Sequence, residues 1–361
     1  MAPVIRSRPL RKDNFASSFK NIKPVVYNES TTAGRSSLAP NIRAITWSPA
    51  GSLIATCTHA HVRIWSPEKP NVKSSTELRN AHPKNGVAGA SGDVVEKIAF
   101  CPTTENVLAS TGHDGFLRVW DVRIPGGAAG AGKGTPLADC KVGDQGHFLT
   151  WHPNGTEMLV GRKDDVIHSV DVRRMISFDS PVPNYELDAT ERKPSTKNIY
   201  NIMSFSNSGR EVFASTQEGP VRVFDYPSMS LLHSMSGHSA ASYTVQHSPT
   251  GNCVAVGAGD SLISLWDTTS WLCTHTLTAH ASSVRDLSFS YDGTYLICGS
   301  GTDARDGSSG IEVYHVDTGD VVHTVETKNP VTQAAFHPTR YWMAYAGDPG
   351  GLHIVGAGTT V

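Results

Sequence analysis

The sequence lacks long hydrophobic runs, clustered cysteines, an excess of one charge and the common catalytic signatures, and each absence removes a class of function. Nothing in it approaches the ~20 apolar residues that a membrane-spanning helix needs. The first 24 residues set Arg6, Arg8, Arg11, Lys12, Lys20 and Lys23 against the single acid Asp13, without the apolar stretch of a secretory signal. Cys57, Cys101, Cys140, Cys253, Cys273 and Cys298 never fall in C-x-x-C spacing, so no zinc framework is signalled and reduced thiols in an intracellular protein are expected. With 31 Lys and Arg against 33 Asp and Glu the net charge is -2, which gives no global pull toward nucleic acid or membrane. Neither H-E-x-x-H nor G-x-S-x-G occurs, and no carboxylate pair stands in an acid/base context.

What is present is a repeat. An aromatic or equivalent residue followed by a turn recurs as Trp47-Ser48-Pro49, Phe100-Cys101-Pro102, Trp151-His152-Pro153, Phe205-Ser206-Asn207, His247-Ser248-Pro249, Phe289-Ser290-Tyr291 and Phe336-His337-Pro338. Successive anchors lie 53, 51, 54, 42, 42 and 47 positions apart, so the shortest spacings match the period of one four-stranded propeller blade and the longer ones carry insertions. Each turn is followed by a short apolar run, as at 53–57, 107–111, 158–161, 212–216, 253–257, 296–300 and 343–346. A third run then alternates toward an aromatic, as in Val62-Arg63-Ile64-Trp65, Leu117-Arg118-Val119-Trp120-Asp121 and Leu262-Ile263-Ser264-Leu265-Trp266-Asp267. Short β-rich runs bounded by Gly, Asn and Asp are strands.

The period and the Trp-Asp ends resemble WD repeats, which implies an all-β, seven-bladed WD-repeat β-propeller. In that family a His before the first strand, a Ser or Thr on the second, a turn Asp and the Trp form a hydrogen-bonded chain that locks the blade. Asp114 with Trp120, and His238 with Asp260 and Trp266, match it, and His280 opens the next blade in the same way. The reading of these residues is structural, since a buried Asp is tolerated only when paired. The last blade stops after Leu352-His353-Ile354-Val355 without an outermost strand, and a bare edge must be hidden. Val25-Val26-Tyr27 is the expected donor, so an N-terminal strand closes the last blade. Residues 1–24 are expected to be a basic, disordered arm and 25–361 a single propeller.

The long spacings place surface loops at about 67–93, 124–142, 177–198 and 301–310. Gly127 to Thr135 is a near miss to the phosphate-binding loop: Gly134 follows Lys133 where a hydroxyl is needed, and no helix follows. A flexible Gly/Ala linker is the expectation there. Most of the sixteen histidines fall at repeat-equivalent places, as His152, His247, His337 and His238 do, which is the distribution of a scaffold.

Beyond the repeat, the chain from Trp47 to about Gly356 resembles the WD-repeat subunits of the THO/TREX mRNA-export complex, the THO complex subunit 3 family. The residues that carry this are Gly161-Arg162-Lys163-Asp164-Asp165-Val166, Ser264-Leu265-Trp266-Asp267 with Trp271-Leu272-Cys273, Ser283 to Gly293, Thr318-Gly319-Asp320 and Ala335-Phe336-His337-Pro338. The resemblance implies a nuclear, non-catalytic scaffold with no cofactor and no small-molecule substrate. Its contacts would be with other THO/TREX subunits, with RNA reached through the complex and no membrane. An alternative comes from Trp120-Asp121-Val122-Arg123, which is similar to the W-D-x-R signature of substrate receptors of cullin-type ubiquitin ligases, with Arg118 as the preceding basic residue. Alignment of the first strands also nominates a surface: Arg43, Glu96, His147, Asn201, Tyr243, Arg285 and Thr332 take one repeat position. Among them Arg43, Tyr243 and Arg285 are the residue types that make interface hot spots.

Overall fold

In the computed structural model, residues 6–20, 22–28, 41–59, 61–70, 75–79, 81–83, 94–123, 136–143, 145–173, 185–186, 189–196, 198–278, 282–300 and 310–356 are described. The chain is a seven-bladed all-β propeller. Blade one consists of Ala44–Trp47, Ile54–Cys57, His61–Trp65 and Thr76–Arg79, and blade two of Val95–Phe100, Val107–Gly112, Phe116–Asp121 and Ala138–Lys141. Gly146–Trp151, Glu157–Arg162, Ile167–Asp171 and Ala189–Arg192 form blade three, and Tyr200–Phe205, Glu211–Thr216, Val221–Asp225 and Leu231–Met235 form blade four. Blade five holds Ser242–His247, Cys253–Ala258, Ile263–Asp267 and Cys273–Leu277, and blade six Val284–Phe289, Tyr295–Ser300, Gly310–His315 and Val321–Glu326. Gln333–Phe336, Trp342–Ala346 and Gly351–Gly356 make three strands of blade seven.

The chain packs as two compact units. One is built from Met1–Asn41, Ser215–Arg222 and Ser234–Val361, the other from Ile42–Ala214 and Val223–His233.

The turn anchors work as the spacing predicts. At Gly51, Gly155, Gly209, Gly251 and Gly293 the backbone turns left-handed (φ 72 to 84°), and each glycine N–H closes a tight turn onto the carbonyl three residues earlier, as Gly51 does on Ser48 at 2.8 Å. The second strands are buried along almost their whole length, which is why they read as unbroken apolar runs.

In the first unit the predicted closure is present. Val25–Asn28 pairs antiparallel with the last strand, Val25 against Ile354 and Asn28 against Gly351, and buries Tyr27. Residues 6–20 and 22–24 depart from the expected disorder. Lys12–Phe19 is an α-helix whose Phe15 and Phe19 are buried among Tyr295, Tyr341, Val325 and Phe336 of blades six and seven. Phe15 lies 4.1 Å from the Tyr295 ring and 4.8 Å from Phe19, and Phe19 stacks on His323 at 5.4 Å. Upstream, the Tyr291 hydroxyl donates to the Ser7 carbonyl (2.6 Å), that of Tyr295 to the Leu10 carbonyl (2.7 Å), and Ser7 N–H to the Thr339 carbonyl (2.9 Å). An (i, i+4) aromatic pair supplies the apolar stripe that orders a segment otherwise too polar to fold. Each buried Phe contributes about 1.5–3 kcal/mol relative to exposure.

In the second unit the insertions are not wholly loops. Thr76–Arg79, Ala138–Lys141 and Ala189–Arg192 are the outer strands of blades one, two and three. Their polar sequences hid them, because an outermost strand is only partly covered. Residues Tyr185–Glu186 pair parallel with the start of Ala138–Lys141, Tyr185 against Ala138, and so add a fifth strand to blade two before the chain returns to complete blade three. The Gly/Ala stretch at 124–135 and the near-miss phosphate loop lie outside the described residues.

Candidate functional site

The polar residues with the most catalytic look are used to lock blades. In blade five, Trp266 Nε1–H donates to Ser264 Oγ at 2.7 Å, Ser264 lies 2.7 Å from His238 Nε2, and His238 Nδ1 faces the Asp260 carboxylate at 3.1 Å from both oxygens. This geometry suits Nδ1–H donating to the carboxylate and Nε2 accepting from the serine hydroxyl. Asp260 also accepts from the backbone N–H of Ser239 (3.0 Å) and Leu262 (3.3 Å), so the carboxylate is saturated. Gly237 leads into this chain because a Cβ there would sit 2.8 Å from the Trp266 ring.

Blade two contains a second complete lock that sequence reading found only in part. His82 Nδ1 lies 2.8 Å from Asp114, His82 Nε2 2.8 Å from Ser110 Oγ, and Trp120 Nε1–H donates to Ser110 at 2.8 Å. Arg118 pairs with the other oxygen of Asp114 and is half-buried within the lock. Burial, the largest influence, and the neighbouring Arg118 charge push the His82 imidazole below its ordinary value despite Asp114. Burial alone would raise the Asp114 carboxyl, but the hydrogen bonds and charges of His82 and Arg118 hold it below the usual carboxylate range. Both observations describe a neutral His against an ionised Asp.

The two locks differ in which strand supplies the hydroxyl. Ser110 stands on the second strand opposite Arg118, whereas Val256 holds that second-strand position in blade five and its cross-strand partner Ser264 supplies the oxygen. The family pattern of a second-strand hydroxyl therefore holds in blade two and is transposed in blade five. Blade one shows the end of the chain, Trp65 Nε1–H to Thr56 Oγ1 at 3.2 Å. His280, expected to start a further lock, lies outside the described residues.

The first-strand positions give one cluster in each unit. In the second unit Arg43 Nη2 pairs with Glu96 Oε2 at 2.5 Å, and His113 Nε2 lies 3.4 Å from the same oxygen. Arg43 is thus neutralised by the next blade. Burial lowers the His147 imidazole, and Asn201 is half-buried. In the first unit the Arg285 guanidinium stacks over the Tyr243 ring at 3.8 Å, with Arg285 exposed and, among the described residues, in no ion pair. Thr332 is half-buried beside it in sequence register. A cation held flat on an aromatic is a pre-ordered group with unspent donors.

Arg123 does not project freely. It folds back on Asp121, Nε to Oδ1 at 2.9 Å, and Arg173 makes the same pairing with Asp171 in blade three. A turn pairing that recurs in two blades is a local structural device. Among the described residues no group of three His, Cys, Asp or Glu could hold a metal ion, and no helix is long and apolar enough to cross a membrane.

Comparison with known proteins follows the same lines. The family description "WD domain, G-beta repeat" matches residues 34–66, 82–121, 229–267 and 271–308. THO complex subunit 3 of Arabidopsis thaliana is 28% identical over 308 residues, 85% of this chain and 86% of that protein. WD repeat-containing protein AAC3 of Dictyostelium discoideum is 24% identical over 76% of this chain and 51% of its own length. The crystal structure of the Myceliophteria thermophila Cps50 (Swd1) β-propeller domain superposes with a TM-score of 0.68 at 17% identity, covering 92% of this chain and 99% of that one, which supports the fold alone.

Proposed function

We propose that the chain is a WD-repeat protein of the THO complex subunit 3 family and a non-catalytic scaffold subunit of a nuclear THO/TREX-type complex. Its role is to hold protein partners together while messenger ribonucleoprotein is assembled and exported. The observation that carries this reading is the similarity to THO complex subunit 3, which covers 85% of this chain and 86% of that one. The use of polar residues supports it: the described His–Asp pairs of blades two and five are consumed by locks, and a function has to be argued from a site.

Tyr243 and Arg285 are the partner-binding residues we propose first. A guanidinium stacked on a ring loses little further freedom on binding, so its unused donors are available to a carboxylate or a backbone carbonyl. Arg43 ranks below them because Glu96 already takes its charge. Affinity purification of the tagged chain from nuclear extract, with mass spectrometry of what is retained, tests the assignment. Retention of the other THO subunits is expected, and their consistent absence overturns it. Arg285→Glu should weaken that retention while the melting temperature stays within about 1 °C, since an exposed cation–π contact is worth only ~0.5–1 kcal/mol.

A further inference from the structure

The blades protect their outer edges in different ways, and blade five stands apart. The outer strands of blades one and three carry charges, Glu77 in Thr76–Arg79 and Glu191 with Arg192 in Ala189–Arg192. Blade two has its outer edge taken by Tyr185–Glu186. Helix Lys12–Phe19 packs on blade six, with Phe19 stacked on His323 of its outer strand. The outer strand of blade four is tied at its start, where Leu231 N–H donates to Ser195 Oγ at 2.9 Å and Ser195 N–H to the Met229 carbonyl at 3.0 Å. Blade seven ends on the four-residue strand Val25–Asn28, which Lys23 and Pro24 precede. Cys273–Leu277 of blade five has none of these devices. It contains no charge and no proline, it is the last strand of its sheet, and no described strand pairs with its outer side. Natural sheets rarely leave such an edge bare, because its free N–H and C=O groups accept another strand.

The entry to this edge carries an exposed apolar side chain. Leu272 is 66% exposed, the most exposed of the large hydrophobic side chains among the described residues. It follows Trp271, whose backbone is held left-handed (φ 56°) in a turn where blade four uses Met229 (φ 55°) and blade six Gly319 (φ 69°). Trp271 N–H closes that turn on the Asp267 carbonyl at 2.9 Å, as Gly319 N–H does on His315. A bulky residue rarely adopts this conformation.

We propose that the outer edge of Cys273–Leu277 is a docking site for an extended, uncharged segment of a protein partner, which adds to blade five as a fifth strand with Leu272 as its apolar anchor. The chain shows this mode on itself. Tyr185 and Glu186 add to blade two opposite Ala138 and Asp139, and Ala138 pairs with Val119, the residue before Trp120. In blade five the residue before Trp266 is Leu265, which pairs with His275, so His275 and Thr276 occupy the register that blade two fills from its own chain. Main-chain bonds supply affinity in strand addition, and exposed side chains beside the edge supply selectivity.

This inference rests on the scaffold reading, and the test separates the two. The full chain is assembled with co-expressed THO subunits, and amide exchange over 273–277 is compared with that of the chain alone. Strand addition slows exchange there by about tenfold or more, and Leu272→Lys with Thr276→Lys weakens assembly by about tenfold with an unchanged melting temperature. Thr190→Lys, on the already charged edge of blade three, leaves assembly as it was. If the complex forms with exchange over 273–277 unaltered and the double variant assembling normally, strand addition is overturned and the scaffold reading stands. If no THO subunit binds, the chain is isolated with its stable nuclear partners instead: protection of 273–277 in that complex upholds strand addition and overturns the THO assignment, and no stable complex at all overturns both.

Discussion

Replacing Phe15 by alanine probes whether the N-terminal helix is an integral part of the propeller. The side chain is fully buried against Tyr295, Tyr341 and Phe19, so its removal deletes a ring from a packed aromatic cluster and costs about 3–5 kcal/mol if the cavity does not collapse. The helix has eight residues, too few to persist undocked, so its folding and docking are one event. Docking gains the burial of Phe15 and Phe19, about 3–6 kcal/mol before the cost of ordering the backbone, and that gain caps the loss. Scaled to 361 residues, an unfolding entropy of ~2 cal/mol/K per residue gives roughly 0.8 kcal/mol/K, so a loss of about 3 kcal/mol lowers the melting temperature by about 4 °C. Calorimetry of the wild type, Phe15→Ala and a chain lacking residues 1–22 is the assay, with amide exchange over 12–19 beside it. The point variant should match the deletion, because one lost ring releases the whole segment. A melting temperature within about 1 °C of wild type, with protection of 12–19 retained, would refute the reasoning.

Ser264→Val should cost blade five about 1–3 kcal/mol by orphaning Trp266 Nε1 and His238 Nε2, and adding Val256→Ser should recover much of it by restoring the blade two arrangement; additive losses in urea melts would show the hydroxyl's strand to be fixed. The lock in blade two predicts a pH dependence. His82 is depressed in the folded protein, so its contribution is complete above the ordinary His value of 6.5 and is lost as pH falls below it; Asp114, also depressed, adds a loss at more acid pH, as pH falls from about 3.8 through its lower folded value. Chemical melts from pH 7.5 to 4 should show stability falling on acidification, and His82→Gln should flatten the portion just below 6.5. Gly237→Ala should destabilise by about 1–3 kcal/mol, since its Cβ would meet the Trp266 ring at 2.8 Å; an unchanged melting temperature would show that the ring yields freely.

The legible parts of the chain were those whose burial is complete. Second strands such as Glu157–Arg162 and Cys253–Ala258 are covered on both faces, so their sequences are apolar and the period stands out. Outer strands such as Thr76–Arg79 and Ala189–Arg192 are half solvated, and the same physics that makes them polar makes them look like loops. The N-terminal helix was hidden because two phenylalanines four apart are its only deeply buried residues, set in a basic stretch. His82 was missed because residues 84–93 intervene: it precedes Trp120 by 38 positions, whereas His238 precedes Trp266 by 28. The W-D-x-R string was legible, but the folding of Arg123 onto Asp121 was not, since a local ion pair leaves no periodic trace.

The pairing of Asn28 with Gly351 joins residues 323 positions apart. Bringing such distant segments together costs about 5 kcal/mol of loop-closure entropy before any contact repays it. During synthesis, Val25–Asn28 therefore waits unpaired until the last blade has emerged. Tyr27 has no pocket until Gly351–Gly356 leaves the ribosome, so a chain stalled short of that point carries an unsealed blade even though Tyr295 and Tyr341, which receive helix Lys12–Phe19, have already emerged. The latch thereby ties the burial of Tyr27 to the presence of Gly351–Gly356, and a copy without that strand is distinguishable by what it exposes.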